Sequence, residues 1–139
     1  MATFSKFDQF VEDLAIGVHD LATHQLTIAL TNAANAPIAS NSVLANLTPV
    51  SYANLSTLAM TTTSCTQTAG LLKLLIVDHV LTASGAVAPF KYIVLYNDGT
   101  TVKVNPLIGF YSYGSDLTLA TGETLTINFD GSGGVLTIQ

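Results

Sequence analysis

The sequence predicts an all-β domain, a sandwich or jelly-roll-like barrel preceded by a short N-terminal helix or arm. Three observations carry that prediction. Apolar and polar residues begin to alternate with a period of two at Gln25. Short apolar runs are separated by Asn-Asp-Gly, Thr-Gly and Asp-Gly sequences that suit tight turns. Residues that favour strands are abundant, with 19 threonines among 139 residues, and the strands follow one another without intervening helical patterns. The length predicts one domain over 1–139, with a helical or arm segment over 1–20 and the sandwich over 25–139. A chain of this size buries a core without disulfides or a structural metal.

The first sixteen residues predict the one helix. Phe7, Phe10, Val11 and Leu14 recur at three- and four-residue spacing and share a face, while Asp8, Glu12 and Asp13 fill the polar face. Ser5 and Asp8 have the spacing of a capping box, and Gly17 ends the helix. "QLTIALTN" (25–32) sets Leu26, Ile28 and Leu30 against Thr27, Ala29 and Thr31, which predicts a strand with one buried face. Residues 33–59 contain two prolines and repeated Asn and Ser, and predict a long irregular connection across an end of the sheet. Connections of that length are commonly functional or interface-forming.

Strands are predicted at 60–68, 71–78, 90–97, 107–113, 123–129 and 135–138, with a glycine-built hairpin turn at "DGSGG". The tripeptide "LTI" occurs at 26–28, 125–127 and 136–138, each time inside alternating sequence. In "FKYIVLYN" the alternation sets Phe90, Tyr92, Val94 and Tyr96 against Lys91, Ile93 and Leu95. Both faces are apolar, so this strand is predicted to be central and doubly buried. "LIGFYSYG" sets Leu107, Gly109, Tyr111 and Tyr113 against Ile108, Phe110 and Ser112. Six of the eleven aromatic residues lie in 89–115. Pairing across these two strands accounts for them more simply than a ligand platform does.

Charged residues are 9% of the chain and hydrophobic residues 49%, against about 25% charged in an ordinary domain. This predicts a neutral Thr/Ser/Asn surface, part of it covered in an assembly, with a homo-oligomer as the expected form. The net charge is −5, with no arginine and only Lys6, Lys73, Lys91 and Lys103 as cations. No clustered basic patch can be built from four lysines, which argues against nucleic acid and anionic membrane as partners. No apolar run reaches transmembrane length, and "MATFSKFDQFVEDL" carries acids where a signal peptide needs an apolar core. The chain is therefore read as made in a cytoplasm.

Chemistry-bearing residues are few. His19 and His24, with Asp20 beside the first, could contribute to a metal site only with a third ligand such as His79 or Asp78. Their simpler role is as polar residues at a helix-to-strand junction. Cys65 could pair with His79 in a nucleophilic dyad, but in "TTTSCTQT" it reads as a small buried hydrophobe. "NFDGSGG" lacks the closing carboxylate of a calcium loop. Asn46 and Asn54 fit the glycosylation pattern, which matters only for a secreted chain. No nucleophile elbow, phosphate loop or paired acids are present, so no catalytic, cofactor-binding or metal residue is assigned.

"KFDQFVEDLAIGVHDL", "LTIALTN", "PFKYIVLYND", "PLIGFYSYGS" and "INFDGSGGVLTI" together resemble a group of small virion structural proteins of tailed bacteriophages, most like capsid decoration (cement) proteins. The region 33–88 carries less of that resemblance. It implies a non-enzymatic part without cofactors, whose partners are the major capsid protein and other copies of itself, clamping neighbouring capsid subunits. Phe4, Phe7, Phe10, Val11 and Leu14 form an apolar strip that would dock on the chain's own sheet or on a neighbour. The alternatives are a tail, neck or baseplate component and, from another class, a carbohydrate-binding module that stacks sugars on Tyr111 and Tyr113.

Overall fold

The computed structural model describes residues 3–139. Their elements in chain order are β1 (Phe4–Lys6), α1 (Asp8–Ala15), β2 (Leu26–Thr31), β3 (Thr62–Thr68), β4 (Leu71–Ile76), β5 (His79–Thr82), β6 (Val87–Asn97), β7 (Leu107–Leu119), β8 (Thr124–Ile127) and β9 (Leu136–Ile138). The fold is all-β and sandwich-like, and every strand pair is antiparallel. One layer is a four-stranded sheet in the order β1–β7–β6–β2. The other contains β3–β4–β9 and β5–β8.

The second layer is a single bent ribbon. Only Val77 and Asp78 separate β4 from β5. The Val77 N–H donates to the Thr61 carbonyl and the Ser56 N–H to Thr82, so the 55–68 segment runs alongside both strands. Ala69 and Gly70, both at positive φ (52° and 84°), close this hairpin as a two-residue turn. The layers join along one side, where 58–60 adds to β2 through Ile28 N–H to Leu58 (3.0 Å) and Met60 N–H to Leu26 (2.8 Å).

The four-stranded sheet is buried on both faces, which is why β2 is buried at every position rather than on the one face predicted. On its inner face Leu26, Ile28, Leu30, Ile93, Leu95 and Ile108 meet the second layer's Leu74, Ile76 and Leu81. On its outer face Phe7, Ala29, Val94, Tyr96 and Leu107 are covered by Leu44, Leu47 and Tyr52 of the long connection. The 33–59 segment is irregular apart from 3-10 turns at Ala33–Asn35 and Leu44–Asn46. It lies over this face and along the edge of β2, where the Val50 N–H reaches Leu30, rather than only crossing a sheet end.

Several expectations are corrected. The N-terminal helix is shorter than predicted, because Phe4–Lys6 pairs with Tyr111, Phe110 and Gly109 as a strand. Ser5 therefore lies in β1 and caps nothing; Phe7 is the N-cap, without a side-chain bond. Gly17 does end the helix, at φ 80°, with Gly17 N–H to Leu14 and Val18 N–H to Asp13. The helix buries Asp13 and exposes Val11, so its inward stripe is rotated from the predicted one. The centrality of β6 holds, but its faces do not: a register shift between Phe90 and Tyr92 puts Phe90 with Ile93 and Leu95. A second shift at Leu95/Tyr96 separates Leu107 from Tyr111. β8 and β9 do not form a hairpin with each other; they pair with β5 and β4.

Candidate interaction surface

Five of the eight exposed large hydrophobics among the described residues lie on or beside α1, in the 38–49 part of the long connection or in the 98–106 connection. Val102 and Val104 are 73% and 80% exposed, with Ile16 at 67%, Ile38 at 59% and Val11 at 52%. Backbone bonds draw these segments together: Asp8 N–H to Ala39 (2.9 Å), Leu44 N–H to Asn105 (2.9 Å) and Leu107 N–H to Ser42 (3.0 Å). Lys103, between the two valines, reaches back 2.6 Å to the buried carboxylate of Asp13 on α1. A shallow groove runs between Val104 and Val43, Leu44 and Leu47. Asp13 and Lys103 neutralise one another here, while Asp8 and Glu12 on the same helix are exposed.

The strip predicted from the N-terminus divides. Phe7 and Phe10 are 0% and 2% exposed and belong to the protein's own cores, the former against Phe110 at 5.1 Å between ring centroids. They dock on the chain's own sheet. Leu14 packs, half-buried, against the inner core, as does Phe4. Val11 alone of the five is an exposed large hydrophobe. Ile16, Ile38, Val102 and Val104 were not assigned from the sequence. The available signal was "TTVKVN", two valines alternating with a lysine inside a connection that otherwise reads as polar.

On the side of the sandwich opposite 58–60, a cavity of about 320 Å³ opens between the β1–β7 edge and the β8–β9 edge. Phe4, Tyr111, Tyr113, Leu125 and Phe129 line it. The Tyr111 ring lies 5.1 Å from Phe4 and 6.2 Å from Phe129, and burial pushes its hydroxyl up to about 12. Tyr113 is 54% exposed. Gly109 admits the Phe4 ring over β7: a Cβ there would strike Phe4 and lie 2.8 Å from the Ser5 carbonyl oxygen.

The histidines do not converge. His19 and His24 meet around the side chain of Asn97, whose Nδ2 lies 3.2 Å and 3.0 Å from their Nδ1 atoms. His79 instead bonds the Thr57 carbonyl at 2.8 Å, and Asp78 accepts the Phe129 N–H at 2.8 Å. The third ligand considered from the sequence is thus engaged in the other layer. Burial holds His19 down to about 4; Asp13 opposes that shift, while Lys103 and His24 add to it.

Cys65 is half-buried rather than buried and sits opposite Leu74 on β4. His79 lies five residues beyond Leu74, roughly 16 Å along extended chain, so Cys65 and His79 form no dyad. Burial raises its thiol above the usual range, with Asp20 adding to the shift. Asp130 closes its own turn, its Oδ1 accepting from Gly133 (2.7 Å) and Ser132 (2.9 Å) N–H groups. Those bonds hold its carboxyl below the usual range. In comparisons with known proteins, the chain matches no family model, no curated protein and no solved structure.

Proposed function

We propose that the protein is a capsid decoration protein of a tailed bacteriophage: a non-enzymatic virion component, made in the host cytoplasm, that binds major capsid protein and further copies of itself. The observation that supports this reading best is the exposure of Val102, Val104, Ile38 and Ile16 on segments that backbone bonds and the Lys103–Asp13 pair draw together, on a chain only 9% charged. Contacts built from such side chains are individually modest. Repetition over a lattice makes them effective. The acidic balance of −5 suits a protein partner on the outside of a shell rather than packaged nucleic acid.

The test is cosedimentation with purified expanded capsids, combined with immunogold labelling of intact particles. The wild type is expected to sediment with capsids and to label heads at many sites. A Val102→Asp/Val104→Asp variant is expected to keep its melting temperature and lose at least tenfold in capsid affinity. Unlabelled heads reject the reading; label confined to the tail supports a tail, neck or baseplate component instead. A carbohydrate-binding role draws on one observation, the position of Tyr111 and Tyr113 on the same cavity. Binding to a glycan array without binding to capsids would favour it.

A further inference from the structure

The junction below the apolar end contains a polar cluster whose hydrogen bonds specify its protonation state. The Gly99 N–H donates to Asn97 Oδ1 at 3.0 Å, which orients the amide and turns Nδ2 toward both histidines. Asn97 Nδ2 then donates to His24 Nδ1 and His19 Nδ1. The Asp20 N–H donates to the same His24 Nδ1 at 3.1 Å. Both rings therefore accept at Nδ1, and the buried His19 ring is neutral with its proton on Nε2. Asn97 and His19 are 0% and 6% exposed, and the Nε2 of His19 meets no partner among the described residues.

We propose that this cluster is an acid-operated latch, in which a proton on His19 Nδ1 releases the 98–106 connection from the segment 18–25. Protonation sets an N–H against the Asn97 Nδ2–H. Turning the amide to relieve that conflict withdraws Oδ1 from the Gly99 N–H and puts it against the His24 Nδ1 lone pair. No orientation of Asn97 then satisfies all three neighbours. The turn has little room to adjust in place, since Gly99 packs against the backbone of His24 and Gln25. The Asp98 N–H bond to the Gln25 carbonyl (2.8 Å) is the next tie to open.

The charged and titratable groups around His19 act on the same connection. Asp13 approaches from α1, Lys103 from the 98–106 connection and His24 from the segment before β2, while the Phe10 ring lies 5.1 Å away. A His19 imidazolium competes with Lys103 for Asp13, which weakens the second tie that holds the connection to α1. In the closed form burial keeps the ring near 4 against an ordinary 6.5. The latch is therefore at full strength above about 6.5 and weakens as the pH falls toward 4. Opening rehydrates the ring, so the coupled transition has its midpoint between those values. Val102 and Val104 move with the released connection, whatever binds to them.

The test is an NMR titration of the full chain from pH 7 to pH 4. It follows the His19 ring, the Val102 and Val104 methyls, the core Val94 methyls and exchange at the Gly99 amide. The expected result is one midpoint for His19 and the two loop valines, an unmoved Val94, and at least a tenfold loss of Gly99 protection after correction for intrinsic exchange. In His19→Gln, whose side-chain oxygen can still accept from Asn97, the loop transition is expected to disappear. Static loop valines overturn the latch, as does the same transition persisting in His19→Gln. Val94 shifting at the same midpoint also overturns it, since acid then unfolds the domain as a whole. If His19→Gln does not fold, the wild-type midpoints decide, and a loop transition that does not coincide with His19 titration rejects the proposal.

Discussion

Phe7→Ala, set beside Val11→Ala, separates a core role from a docking role within the N-terminal strip. Phe7 is 0% exposed, and its ring packs among Ala29, Val94, Tyr96, Leu107 and Phe110 on the outer face of the four-stranded sheet. Removing the ring forfeits about 2 kcal/mol of transfer free energy. A residual void of roughly 80 Å³ adds about 2 kcal/mol at ~24 cal/mol per Å³. The total of about 4 kcal/mol lies within the ~3–5 kcal/mol range for such truncations and is a large part of the ~5–15 kcal/mol that holds a domain folded. With a urea slope of about 2 kcal/mol/M, the midpoint should fall by about 2 M. Val11, at 52% exposed, should change stability by less than about 0.5 kcal/mol. Equilibrium urea unfolding followed by circular dichroism measures both. A Phe7→Ala loss below about 1 kcal/mol would refute the assignment of Phe7 to the core, and an equal loss in Val11→Ala would refute the division of the strip.

Gly109→Ala should destabilise by about 1–3 kcal/mol through overpacking and dislodge Phe4, seen as lost amide protection in β1 while β6 keeps its own. Lys103→Met should cost about 3 kcal/mol or more, because it strands a carboxylate that is 2% exposed. Asp13→Asn should cost less in the same urea assay, since the Lys103 side chain is 26% exposed and can turn to water. Ala69→Gly should stabilise by about 0.5–1 kcal/mol, because a β-carbon at φ 52° is strained there; an unchanged melting temperature would show that the turn relaxes. Tyr52 and Tyr111, both pushed up to about 12 by burial, favour the neutral form in the fold. The stability they contribute is complete below about 10 and lost between 10 and 12, so ultraviolet titration should show both ionising together with alkaline unfolding.

The class of the fold was legible because period-two alternation and turn residues are local signals. β2, the central place of β6, the turn at Gly122 and all three "LTI" strands were recoverable from them. β1 was not, because Phe4–Lys6 is too short to show a period and is a strand only where β7 offers it a partner. The two-sided burial of β6 was readable, but the face taken by Phe90 was not, because the register shifts belong to the pairing of β6 with β7. The candidate surface was partly readable. The sequence pointed to the long connection as a partner surface, but not to Val102 and Val104, which the 42–44 backbone bonds set beside that connection and the Lys103–Asp13 pair ties to α1.

The sequence by itself determined the period of the chain, its low and acidic charge and its lack of a basic patch, since composition and alternation act residue by residue. Only the tertiary structure decided which apolar residues are spent inside. Phe7 and Phe10 fill the protein's own cores, and Val11 beside them does not, because a helix of eight residues can turn only one stripe inward. It likewise gathered His19, His24 and Asn97 into one cluster, where a single amide has too few hydrogen-bonding atoms to satisfy a protonated ring.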